Sequence, residues 1–121
     1  MPAPFYRPGL VDQTTFGDDG NCLAASLASV LGMSIAEMPD LRGDGWYDRL
    51  VEFLASRGRR AAVVPHHRVP DGSHVLNIGL GDGPRGRPHA VVCSGATVFH
   101  DPHPDRTGLV GAPEHHVFVL R

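Results

Sequence analysis

The residues of this chain that can carry chemistry follow one another in the order Gln13, Cys22, His89, Asp101. Cysteine attacks an acyl carbon as a thiolate, histidine takes up and returns a proton, and a carboxylate orients the imidazole ring. An upstream glutamine can donate a hydrogen bond to the resulting oxyanion, together with the backbone N–H of the cysteine. The order of these residues therefore predicts nucleophilic acyl chemistry on Cys22.

Cys22 stands at the predicted start of a helix. Asn21 is a suitable N-cap, residues 22–31 are mostly helix formers or small apolar residues, and Gly32 fits the C-terminal stop. Unsatisfied N–H groups and the helix dipole favour a thiolate at this position. The alternative is a structural thiol, because free cysteine is among the most buried residue types.

A second helix is predicted over 46–57. Asp44 is its possible cap, Gly58 its stop, and Pro39 prevents a long helix in the connector before it. Trp46 recurs with Leu50, Phe53 and Leu54 at helical spacing, so we interpret it as a core residue rather than a substrate-binding one.

The rest of the chain is predicted to be β-rich, with strands over 61–64, 74–80, 89–94, 97–101 and 115–120. Two helices followed by strands with short connections predict an α+β fold, with N-terminal helices packed on an antiparallel β-sheet. The length allows one domain over 1–121, in which 1–20 form an extended N-terminal arm.

His89 begins one predicted strand and Asp101 ends the next, so their relative orientation depends on the hairpin between them. A simple two-residue loop at Gly95 and Ala96 would point the two side chains to opposite faces of the sheet. An odd-length loop or a β-bulge would bring residue 91 opposite residue 101 and place both side chains on one face. We therefore predict an odd-length loop or a bulge.

Two of these residues also have structural interpretations. Asp101 precedes Pro102 and can simply start a turn. Gln13 can be a surface residue of the arm, and Asp18 and Asp19 are predicted to form a solvated turn. The loop over 81–88 ends directly before His89 and is predicted to border a substrate cleft.

At these positions the chain resembles the papain-like cysteine peptidase superfamily, especially its small C39-like members. The segments that carry the resemblance are QTTFGDDGNCLAASLASVLG over 13–32 and HAVVCSGATVFHDPHPDRTGL over 89–109. The resemblance implies a papain-like fold, with Cys22 as nucleophile, His89 as general base, Asp101 as orienting acid and Gln13 as oxyanion donor. It also implies a thiol protease that takes a peptide or protein substrate and needs no cofactor.

Composition excludes several other classes. A formal net charge of -2 gives no basic face for nucleic acid. Two cysteines do not make a disulfide scaffold, and no stretch has the length of a membrane span. The first residues lack the features of a signal peptide, so we expect a cytoplasmic protein.

Histidines raise the question of zinc. Pairs stand at 66–67 and 115–116, and His100 and His103 are three residues apart. Adjacent residues of a strand point to opposite faces, and no Cys-x-x-Cys or His-Glu-x-x-His pattern is present, so no metal site is predicted. We interpret His100 and His103 as flanking the cleft and tuning it.

Two other functions use the same residues differently. A deamidase or acyltransferase would use the same triad, and the outcome would depend on whether water or an amine reaches the acyl-enzyme. A catalytically inactive papain-like module would use the cleft for binding alone. Neither the oligomeric state nor the substrate specificity follows from the sequence.

Overall fold

The computed structural model describes residues 10–17 and 20–121, and the elements within them form an α+β fold. The helices and strands in chain order are α1 Cys22–Leu31, α2 Trp46–Ser56, β1 Arg60–Pro65, β2 Leu76–Asp82, β3 Pro88–Ser94, β4 Thr97–His100 and β5 His115–Leu120. Short 3-10 helices lie at Ile35–Glu37 and His66–Arg68. Of the predicted arm over 1–20, residues 1–9 and the predicted turn residues Asp18 and Asp19 lie outside the described residues.

The five strands form one antiparallel sheet in the order β1-β5-β2-β3-β4. The last strand, β5, lies between β1 and β2, where Val117 pairs with Val63 on one side and with Ile78 on the other. The end of the described chain is therefore an interior strand of the sheet. The predicted α+β class and the antiparallel sheet are confirmed.

Both helices pack on the sheet through apolar faces. In α1, Leu27 is fully buried and belongs to the same core cluster as Ile78 and Ala90. In α2, Leu50 and Leu54 are fully buried, as expected from their spacing four residues apart. This packing anchors the first turn of α1, and hence Cys22, against the middle of the sheet.

The predicted helix ends are confirmed in part. Gly32 follows α1 in the left-handed conformation, with φ 69°, and its N–H donates to the carbonyl of Ala28, which confirms the predicted stop. The prediction that Asp44 caps α2 is wrong, because Gly45 occupies the N-cap position with φ 78°. No helix in the described part of the chain is long and apolar enough to cross a bilayer.

A buried or half-buried series of hydrogen bonds connects His66, His116 and Asn77. The Asn77 amide donates to the carbonyls of Val75 and Gly95, so its Oδ1 is free to accept from His116 Nδ1 at 2.7 Å. His116 Nε2 then accepts from His66 Nδ1 at 2.9 Å. Burial, followed by the nearby His66 and His115, lowers the pKa of His116 below its usual 6.5.

The lowered pKa of His116 predicts that the folded protein is less stable against unfolding at acid pH. The unfolded protein binds a proton at His116 near pH 6.5 and the folded protein resists it, so the free energy of unfolding should fall as pH drops from that value. Denaturant titrations of the wild type and His116→Gln from about pH 7.5 to about pH 5 measure this. The stability gap between the two should narrow towards acid pH, whereas a constant gap contradicts the prediction. Both proteins retain His89, so its titration cancels in the comparison.

Candidate active site

The β3–β4 hairpin brings His89 and Asp101 together. Its turn is Gly95-Ala96, with Ser94 paired to Thr97, and the register shifts between Val92 and Cys93 so that Val92 pairs with His100. The predicted bulge is therefore confirmed. If this register continues by one residue, Val91 lies opposite Asp101. His89 and Val91 are two residues apart on β3, so the side chains of His89 and Asp101 point to the same face of the hairpin.

The Asp101 carboxylate is buried and fully hydrogen-bonded. Its Oδ1 accepts from His89 Nε2 at 2.7 Å and from the His103 backbone N–H at 2.9 Å, and its Oδ2 accepts from the Gly108 N–H at 2.7 Å. Asp101 is 4% exposed. The hydrogen bond from the His103 N–H to the Asp101 side chain forms the turn that the sequence predicts after Asp101. Asp101 therefore starts a turn and also binds the imidazole of His89.

The imidazole of His89 lies between Asp101 and the thiol of Cys22. Burial alone would lower the pKa of His89, but hydrogen bonds to Cys22 and Asp101, and the negative charge of both groups, raise it above its usual 6.5. Because Nε2 faces Asp101, Nδ1 is the nitrogen left for the thiol. The raised pKa favours the protonated form of the His89 imidazole.

Gln13 lines the same cavity as Cys22 and His89 and is 7% exposed, so the surface interpretation of this residue is wrong. Its Nε2 donates to the carbonyl of Thr15 at 2.9 Å, which leaves a second amide hydrogen for another acceptor. Its backbone N–H donates to the carbonyl of Pro102 at 3.0 Å. The arm is thereby attached to the residue that follows Asp101.

Asn21 has a different role from the predicted one. Its side chain makes no capping hydrogen bond, and its Oδ1 instead accepts from the N–H groups of Thr14 and Thr15 at 2.8 and 3.1 Å. Asn21 does occupy the predicted N-cap position, but its side chain holds the arm instead of the first turn of the helix. The first turn of α1 keeps N–H groups that no Asn21 side chain covers, which suits a thiolate or an oxyanion at Cys22.

Two adjoining cavities meet at Cys22 and His89. The first, the polar cavity, measures about 290 Å³ and includes Gln13, Gly83, Arg85, Arg87 and His103. The second, the apolar cavity, measures about 340 Å³ and includes Leu23, Leu41, Trp46, Leu80 and Ala90. The thiol of Cys22 and the imidazole of His89 therefore lie where the two cavities join.

Some of the residues that line the two cavities are those predicted from the sequence, and others are not. The loop between β2 and β3 borders the cleft, as predicted, through Gly83, Arg85 and Arg87. Trp46 packs against the core as expected, but it also lines the apolar cavity. His103 lines the polar cavity, whereas His100 lies outside it, with Nε2 3.1 Å from Asp12.

The sequence prediction does not identify the loop before α2 as part of the cavity wall. Leu41, Arg42 and Gly43 line the apolar cavity, and Arg49 of α2 holds their loop in place by donating to three of its carbonyls, those of Asp40, Arg42 and Asp44. No local motif distinguishes this loop. Proline and glycine are frequent in this connector, at Pro39, Gly43 and Gly45, and they indicate a loop that could form part of a cavity wall.

Among residues 10–17 and 20–121, no three His, Cys, Asp or Glu side chains are placed to hold a metal ion together. Comparison of the chain with known protein families, curated proteins and solved structures gave no match. The site must therefore be interpreted from its own geometry: a thiol at a helix start, an imidazole oriented by a buried carboxylate, and a buried amide in the same cavity.

Proposed function

We propose that this chain is a papain-like, C39-like cysteine hydrolase that cleaves an amide or peptide bond through Cys22, His89 and Asp101. The observation that carries the proposal is the 2.7 Å hydrogen bond from His89 Nε2 to Asp101, made by a histidine that also contacts the thiol at the start of α1. A thiol buried only for packing needs no oriented imidazole beside it.

The first chemical step is attack of the Cys22 sulfur on the acyl carbon. The thiolate is formed with its proton on His89, and Asp101 holds the imidazolium by accepting from Nε2. The developing oxyanion takes hydrogen bonds from the backbone N–H of Cys22 and from the free amide hydrogen of Gln13. The C–N bond then breaks, and His89 gives its proton to the leaving amine.

The second step releases the acyl group. His89, now neutral, takes a proton from water, the hydroxide oxygen bonds to the acyl carbon, and the C–S bond breaks to restore the thiolate. If an amine enters instead of water, the same site performs acyl transfer. The two cavities suit a peptide or protein substrate that extends on both sides of the thiol.

The test of this proposal is the pH dependence of Cys22 alkylation by iodoacetamide. In the wild type, the midpoint of the rate profile should lie below the free-thiol value of about 8.5, and His89→Ala should move it upward. A midpoint near or above that value and indifferent to His89 would favour an inactive module that uses the cleft only for binding.

The second cysteine provides the control. Cys93 is fully buried, and burial raises the pKa of its thiol to about 12, so it should not react in the folded protein. Cys22→Ala should therefore abolish alkylation, whereas Cys93→Ser should leave the rate profile unchanged. Alkylation that persists in folded Cys22→Ala would invalidate the assay.

A further inference from the structure

We infer that Arg106 is a positioning residue that holds the Gln13 amide in the oxyanion site by joining the N-terminal arm to the loop after β4. The inference rests on the proposed function, because Gln13 matters only if an oxyanion forms at Cys22. It assigns a role to a residue far from Gln13 in sequence and outside both cavities.

One guanidinium bridges the two segments that carry Gln13 and Asp101. Nη1 and Nη2 of Arg106 donate to the two carboxylate oxygens of Asp12, and Nη1 also donates to the backbone carbonyl of Asp101. Asp12 directly precedes Gln13, whose own N–H donates to Pro102, the residue after Asp101. A bidentate pair and two backbone contacts thus fix the arm against the loop.

The backbone at Arg106 supports a role beyond a surface ion pair. Arg106 has φ 57°, a left-handed conformation that non-glycine residues rarely adopt, and it is the one such case among the described residues other than glycine. Its N–H donates to the carbonyl of His103 at 3.0 Å, which closes the turn that presents the guanidinium to Asp12. Strained residues persist where their surroundings determine the conformation.

The remaining contacts of the arm do not replace Arg106. Val11 is held by the hydroxyl of Ser29 in α1, and Thr14 and Thr15 by Asn21. These contacts lie on the α1 side of Gln13, whereas Asp12 and the Gln13 N–H face the loop after β4. On the β4 side, the Gln13 N–H still donates to Pro102 and His100 Nε2 still lies 3.1 Å from Asp12 when Arg106 is removed. What is lost is the bidentate pair that fixes the Asp12 carboxylate, so the neighbouring Gln13 amide is held less firmly.

Two reagents separate this role from a general structural one. Acylation of Cys22 by p-nitrophenyl acetate passes through a tetrahedral oxyanion, in which the S–C bond forms before p-nitrophenolate leaves. Alkylation by iodoacetamide displaces iodide at a saturated carbon and forms no oxyanion. A residue that acts through Gln13 should therefore change the first rate and leave the second unchanged.

Arg106→Gly is the main variant, because glycine suits the observed φ and removes only the side chain. We expect acylation by p-nitrophenyl acetate to fall about tenfold and alkylation to stay within about twofold, since loss of a whole oxyanion donor costs more. Asp12→Asn should lower acylation in the same direction. Arg106→Lys, which keeps the charge but not the bidentate pair, should recover only part of the acylation rate.

A double variant tests the route through Gln13. In a Gln13→Ala background, Arg106→Gly should cause no further loss of acylation. Additive losses, equal losses of acylation and alkylation, or an unchanged acylation rate in Arg106→Gly would each overturn the inference while leaving the proposed function intact. If wild-type Cys22 is not acylated at all, the proposed function fails first, and the inference fails with it.

Discussion

His89→Ala is expected to slow acylation of Cys22 by p-nitrophenyl acetate by about 10²-fold near neutral pH, and Asp101→Asn by about tenfold or less. General acid–base catalysis contributes about 10²–10⁴-fold, and the lower end applies because p-nitrophenolate leaves without needing a proton. For an amide substrate, the leaving amine does need that proton, so the loss in His89→Ala should move towards the upper end. Release of p-nitrophenolate measures the rate.

The smaller effect of Asp101→Asn follows from the hydrogen bonds at this position. The carboxylate Oδ1 accepts from both His89 and His103, so an amide oxygen placed there would preserve the orientation of the imidazole. The amide nitrogen would then face the Gly108 N–H, and one hydrogen bond would be lost. That hydrogen bond is present before and during the reaction, so its loss affects the rate only through the position of the ring, and the effect should be smaller than that of removing the imidazole.

Three comparisons show whether a lower acylation rate comes from the loss of a catalytic group or from a damaged fold. Cys22→Ala should give no acylation while retaining the unfolding transition of the wild type, and Asp101→Ala should lose more than Asp101→Asn because it orients nothing. If Asp101→Asn were as slow as His89→Ala, the charge of the carboxylate rather than its orientation of the ring would be the main contribution.

The elements that the sequence predicts well are those with local signals. The bounds of α1 follow from small apolar residues and a glycine stop, and the run of β-forming residues over 115–120 predicts β5 over its whole length. The bulge near His100 was predicted from the requirement that two particular side chains share one face. In each case the information lies within a short segment or one hairpin.

Features that depend on distant contacts were not predictable in this way. Nothing local indicates that β5 lies between β1 and β2, because strand order is decided by the packing of the whole sheet. The side chain of Asn21 satisfies the cap pattern but binds the arm, since two N–H groups there compete for the same oxygen. The burial of Gln13 likewise depends on a loop some 90 residues later in the chain.

Gly95→Ala is expected to destabilise the fold by about 4 kcal/mol or more, a loss that is exceptional for one methyl group. Gly95 has φ 58°, and a β-carbon there would overlap the backbone carbonyl of Ser73. The turn is held by its N–H donating to Val75 and its carbonyl accepting from the buried Asn77 amide. Backbone cannot move aside at low cost, so the hairpin must shift.

Gly86→Ala separates the clash from the backbone strain. Gly86 has φ 76°, similar to that of Gly95, but a β-carbon there meets nothing within 4 Å. Gly86→Ala should therefore lower the free energy of unfolding only by the energy of holding alanine in the left-handed conformation, about 1–2 kcal/mol. Free energies of unfolding from denaturant titration measure both variants, and equal losses would contradict the clash. Because the strands joined at Gly95 carry His89 and lead into Asp101, the methyl group should also impair Cys22 acylation in the molecules that remain folded, whereas Gly86→Ala should not.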